Sequence, residues 1–124
     1  MTLLTAVNIS KTLDSIKDDK IPVQLAFKIA KIHNILASDI EFYYERLRSY
    51  IDMYCEKNED DTPVIKDGNI FIKKEVLSEF NKKVEELNNL EAKNVNINLT
   101  LDELSSLEKI SPSEISMLMP IISE

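Results

Sequence analysis

The 124-residue chain has one glycine, one cysteine, one histidine and no tryptophan, and each scarcity excludes a class of chemistry. With Gly68 alone, no P-loop, no G-x-G-x-x-G dinucleotide fingerprint and no G-x-S-x-G nucleophile elbow can be written anywhere in the sequence. Cys55 has no internal disulfide partner, as expected of a reducing compartment, where the sequons at Asn8 and Asn98 have no consequence. Cys55 and His33 fall short of the roughly four N or S ligands that a structural zinc ion needs. On one straight helix they would stand about 33 Å apart, which excludes a thiolate–imidazole dyad. No 18 apolar residues follow one another, and Met1-Thr2-Leu3-Leu4-Thr5 has no basic flank. Neither a membrane span nor a secretory leader is therefore expected, and the chain reads as soluble and cytosolic.

What is present suffices for one core. The chain is 44% hydrophobic and 30% charged, with four prolines, far from a disordered composition, and its length fits a single domain over residues 1–124. The net charge of −7 is unevenly spread: +2 over residues 1–34, −5 over 35–61, zero over 62–99 and −4 over 100–124. Contact with nucleic-acid phosphates requires clustered Lys and Arg. No direct nucleic-acid or membrane partner is expected, and a protein with a basic surface fits better.

Val7, Ile9, Leu13 and Ile16 predict a short helix from Thr5 to about Lys17, followed by the charged turn Lys17-Asp18-Asp19-Lys20. Pro22 stands where an N1 proline opens a helix. From Val23 to about Lys57 neither Gly nor Pro intervenes, which predicts one helix of roughly 50 Å. Its stripe of Ile29, Ile32, Leu36, Ile40, Tyr43, Leu47, Ile51 and Tyr54 has an eleven-residue period, about 3.67 residues per turn, so the stripe stays nearly straight. Glu59-Asp60-Asp61-Thr62-Pro63 ends the helix in a loop. Asp67-Gly68 between apolar runs is a strong hairpin signal. A second amphipathic helix, about Lys74 to Leu90, is predicted to bury Val76, Leu77, Phe80, Val84, Leu87 and Leu90. The alternation from Val95 to Leu101 predicts a strand that joins the hairpin in one small antiparallel sheet. Thr100-x-x-Glu103 and Ser111-x-x-Glu114 match the capping box and predict two short helices. The last carries Met117, Leu118, Met119, Ile121 and Ile122 and must dock on the body or on another chain. The fold class is α+β, built on one long central helix with shorter helices.

The side chains left over offer little chemistry. Glu41 and Glu45, like Asp52 and Glu56, stand four apart on the polar face of the long helix, as carboxylates of a di-metal bundle would. That site also needs Glu-x-x-His pairs, and the residue three before His33 is Ala30. Glu59, Asp60 and Asp61 lack the EF-hand spacing and read as a solvated acidic loop. Phe42, Tyr43, Tyr44 and Tyr50 with Arg46 and Arg48 evoke base stacking, but acids surround the arginines and helix packing accounts for the rings. No cofactor, metal or catalytic residue is expected. Ile35, Phe42 and Met53 form a second apolar patch about a third of a turn from the main stripe. Either the first helix or the C-terminal segment covers it, or it is a partner-binding surface, together with Glu41, Glu45, Asp52, Glu56, Glu59, Asp60 and Asp61.

The order of parts resembles a family of small bacteriophage and prophage proteins of unknown function. The likeness lies in Ile21-Pro22-Val23-Gln24-Leu25-Ala26-Phe27-Lys28 opening a long helix, the Asp-Gly hairpin, Glu79-Phe80-Asn81-Lys82 leading a helix, the alternating strand, and Ser111-Pro112-Ser113-Glu114-Ile115 ahead of Met119-Pro120-Ile121-Ile122. The resemblance implies a phage origin and a bacterial host cytoplasm, and it carries no catalytic residue. The function expected is non-enzymatic binding to another protein, as an acidic inhibitor of a host or anti-phage defence factor. The alternative is a virion structural or assembly protein that self-associates.

Overall fold

Thr2 opens the first helix. Its hydroxyl accepts the Thr5 N–H at 3.2 Å, so α1 spans Leu3–Ser15 and begins two residues ahead of the expected Thr5. The fold is given by a computed structural model that describes residues 1–16, 21–107 and 109–123; the charged turn expected at 17–20 lies outside them. Leu3, Ala6, Val7, Ile9, Ser10, Thr12 and Leu13 are all buried, so α1 is enclosed on more than one side. It packs on the long helix, on the helix after the hairpin and on the last helix. Such a position is tolerable for Thr12 because its hydroxyl donates to the Asn8 carbonyl at 2.8 Å, leaving no polar atom stranded.

The long helix, α2, spans Val23–Tyr54, about 48 Å at 1.5 Å per residue. Pro22 is its N-cap, with extended ψ of 142°, one position outside the expected N1 place. Leu25, Ile32, Leu36, Tyr43 and Tyr54 are buried, and Ile29, Ile40 and Leu47 pack against the same core. The helix ends three residues before the predicted Lys57 because the chain finds extended partners there. Glu56 donates its N–H to the Phe71 carbonyl at 2.8 Å, its carbonyl accepts from Val64 at 2.8 Å, and Asn58 donates to the Thr62 carbonyl at 2.8 Å. These bonds replace the ones a further helical turn would supply.

The hairpin forms as predicted. β1 (Ile65–Lys66) pairs antiparallel with β2 (Asn69–Ile70), with Ile65 opposite Ile70. Asp67 and Gly68 turn with φ of 53° and 79°, the two positive values that a primed two-residue turn demands. A single 3-10 turn, Lys74–Val76, leads into α3, Leu77–Asn88, which returns along the second half of α2. Tyr43 Oη donates to Asn88 Oδ1 at 2.9 Å and Tyr54 Oη to Glu79 Oε1 at 3.0 Å, which fixes the two helices antiparallel. Of the residues predicted to be buried by this helix, Leu87 is enclosed, Val76, Phe80 and Val84 are half-buried, and Leu77 at its start and Leu90 just past its end are exposed.

The predicted strand is the main correction. Between Val95 and Leu101 only β3, Leu99–Thr100, is paired, and its partner is β4, Ile122–Ser123, in parallel register. It does not join the hairpin, which sits past the C-terminal end of α2. Residues 92–100 instead cross the first half of that helix: Lys93 N–H donates to Asp39 Oδ2 at 2.8 Å, and Lys28 Nζ to the Asn98 carbonyl at 3.2 Å. The alternation is real, with Ala92 and Leu99 buried and Val95 and Ile97 half-buried, but the inward side chains meet helices rather than a sheet. Both capping boxes form. Thr100 opens α4 (Leu101–Ser105) and Ser111 opens α5 (Pro112–Leu118). The C-terminal segment docks through Leu118, the last residue of α5, and Ile121 beyond it, both fully buried, while Met117 and Met119 face outward.

Candidate functional site

The ten candidate residues divide into three groups once α2 is seen whole. Glu41, Glu45 and Asp52 fall on the side of α2 opposite its buried stripe, at 100° per residue, and all three are exposed. None is in an ion pair with a base among the described residues. They form a line of about 16 Å at the helical rise. Glu56 does not extend it: the helix has already ended, and Glu56 is half-buried in the pairing between residues 64 and 71.

Glu59, Asp60 and Asp61 make the turn that follows. Asp60 Oδ1 accepts from the Thr62 hydroxyl and, at 3.2 Å, from the Thr62 N–H, and these bonds hold its carboxyl below the ordinary range. Asp61 takes a positive φ of 67° and lies 3.7 Å from Lys57. Two of the three acids thus shape the loop, as Asx residues do. Among the described residues no three His, Cys, Asp or Glu side chains converge where a metal ion could sit.

The apolar patch also separates. Ile35 is half-buried and packs on the core, so it adds little surface. Phe42 is 43% exposed and Met53 60% exposed, eleven residues and so about 16 Å apart along one strip. Neither the first helix nor the C-terminal segment forms the wall beside Phe42; α3 does. Phe42, Arg46 and Tyr50 on α2 face Glu86 and Leu87 on α3, and Leu90 just past its end, across an open groove of about 380 Å³. The Arg46 guanidinium stacks 5.5 Å from the centre of the Phe42 ring, a contact worth roughly 0.5–1 kcal/mol at an exposed site.

Two features are not among the residues singled out by sequence. Ser10 and Asp14, one turn apart on α1, hold His33 of α2 between them: Ser10 Oγ lies 3.4 Å from Nδ1 and Asp14 Oδ1 3.2 Å from Nε2. The residue types are those of a hydrolytic triad, but Ser10 is buried in the middle of a helix whose N–H groups are already bonded, so no oxyanion donors adjoin it. The cluster is a clasp between two helices. Only the four-residue spacing of Ser10 and Asp14 is visible in the sequence; the histidine arrives from another element. Second, Val23 and Phe27, four apart on the outward side of α2, are 84% and 60% exposed, with Lys31 Nζ 4.4 Å from the Phe27 ring centre. Both residues stand off the eleven-residue stripe, and that offset is the signal the sequence carries.

No helix among the described residues is long and apolar enough to cross a membrane. Comparison of the chain with protein-family models, with curated proteins and with solved structures finds no match.

Proposed function

We propose that this chain is a non-enzymatic, phage-encoded protein that works in the bacterial host cytoplasm by docking on a basic surface of another protein and blocking it. The observation that carries this reading is the row of Glu41, Glu45 and Asp52, exposed and in no ion pair among the described residues, on the outward side of a helix whose other side packs into the core. Arg48 stands on the same side at helical spacing and is also exposed, so the row carries a net excess of two negative charges. That excess on a rigid element creates a local field that steers a basic partner and opposes acidic ones. The host or defence factor would present lysines and arginines over a comparable length, as a nucleic-acid-binding surface does.

The test is capture from bacterial lysate on the immobilised chain at about 0.15 M salt, where the Debye length is roughly 8 Å. The reading expects a basic protein to be retained and to be released as salt rises toward 1 M; recovery of no protein at moderate salt counts against it. A virion assembly role is the alternative, and solution mass separates the two. A closed ring or larger oligomer favours assembly, whereas a monomer or dimer favours an inhibitor.

A further inference from the structure

We propose that a second copy of this chain seats on the α2–α3 groove, forming a two-fold dimer through Phe42, Arg46, Glu86 and Leu90. The proposal does not depend on the partner reading above, which uses a different side of α2. Three observations carry it. First, the groove mixes apolar and polar lining, with Leu87 buried beneath, Phe42 and Leu90 43% and 47% exposed above it, and Arg46 and Glu86 on its walls. Second, its charges are complementary across the two walls: Arg46 stands on α2 and Glu86 on α3, and neither is in an ion pair among the described residues. A two-fold axis through the groove exchanges the walls, so Arg46 of each copy meets the second copy's Glu86, and the Phe42 and Leu90 side chains of the two copies close over one another. Third, the segment that supplies α3 is electrically neutral, with six acids and six bases over residues 62–99. The α2 wall belongs to the acidic segment 35–61, but its acidic row lies on another side of the helix and is screened over distances beyond about 8 Å at physiological salt.

Two antiparallel helices about 9 Å apart, overlapping for the roughly 18 Å of α3, present a face of about 350 Å² in projection. That is less than half the ~800 Å² per partner of a standard interface, so the association is of the weak, concentration-dependent class.

The experiment is sedimentation equilibrium of the full chain at loadings from about 5 to 500 µM, the range in which a modest interface associates. It compares the wild type with Phe42→Ala, Arg46→Glu, Glu86→Arg and the doubly reversed Arg46→Glu/Glu86→Arg chain, with circular dichroism confirming that each stays helical. The expected result is twice the 14.2 kDa chain mass for the wild type, the single-chain mass for each single variant, and restored doubling in the double variant. A wild type that stays at single-chain mass overturns the proposal, as does one that grows beyond a dimer. Single variants that still dimerise, or a double variant that fails to recover, overturn the Arg46–Glu86 register.

Discussion

At the residue scale, the side chains that hold α2 are those of the eleven-residue stripe, and their positions are legible from spacing alone. Ile32 and Leu36 are fully buried, so Ile32→Ala or Leu36→Ala leaves a cavity and is expected to cost about 2–5 kcal/mol, measured by the urea midpoint. Phe42→Ala, at an exposed site, is expected to change monomer stability by less than about 1 kcal/mol. Glu103 is less legible. Its carboxylate accepts from Lys28 Nζ at 2.7 Å and from Thr100 N–H at 3.0 Å, and the lysine foremost holds it below the ordinary 4.5. A carboxyl depressed in the folded chain adds stability that is present above its unfolded value and is lost as pH falls through the folded one. Unfolding followed from pH 7 to pH 3 should therefore show stability falling below about 4.5. Glu103→Gln keeps the capping box, which accepts Gln at this position, but removes the charge facing Lys28. It should flatten that fall while lowering stability at pH 7 by at most about 1 kcal/mol, the upper end for a partly exposed ion pair. An unchanged acid limb would contradict this role. The capping box can be seen in Thr100 and Glu103; Lys28, 75 positions away, cannot.

At the scale of elements, what the sequence displays best is local. The Asp-Gly turn, both capping boxes and the unbroken α2 each depend on a few neighbouring residues whose preferences agree. The strand predicted from Val95 does not form at that length because alternation reports only that every second side chain is covered, and helices cover them as well as a sheet does. The early end of α2 is hidden for a similar reason, since Glu56 and Lys57 are adequate helix formers and leave the helix for partners at residues 63–72. Gly68 tests the hairpin as a unit. A Cβ there meets nothing within 4 Å, so Gly68→Ala is opposed only by its positive φ, at about 1 kcal/mol. Because the hairpin side chains are largely exposed, the penalty should appear as local opening. Amide exchange at Glu56, bonded to Phe71, should quicken several-fold while the global urea midpoint shifts little; a full loss of global stability would show instead that the hairpin unfolds with the core.

At the scale of the whole molecule, α1 is the enclosed centre and α2 is the long flank that offers a face to solvent. That division cannot be read from periodicity, because burial of Ser10 and Thr12 breaks the amphipathic pattern of α1 and depends on bonds to Asn8 and His33. The candidate acids are partly legible. Helical spacing groups Glu41, Glu45 and Asp52 correctly, but it cannot tell that Glu56 lies past the helix end or that Asp60 and Asp61 are occupied in a turn. The central claim is that the acidic row is the docking surface, and charge reversal tests it most directly. Wild type and the Glu41→Lys/Glu45→Lys/Asp52→Lys chain, immobilised at equal density, would be compared for the basic protein they retain at about 0.15 M salt, conditions under which adjacent surface charges still act. The account predicts at least a tenfold loss of retained partner, about 1.4 kcal/mol or more, with helicity and solution mass unchanged. Equal retention by the two chains would contradict it.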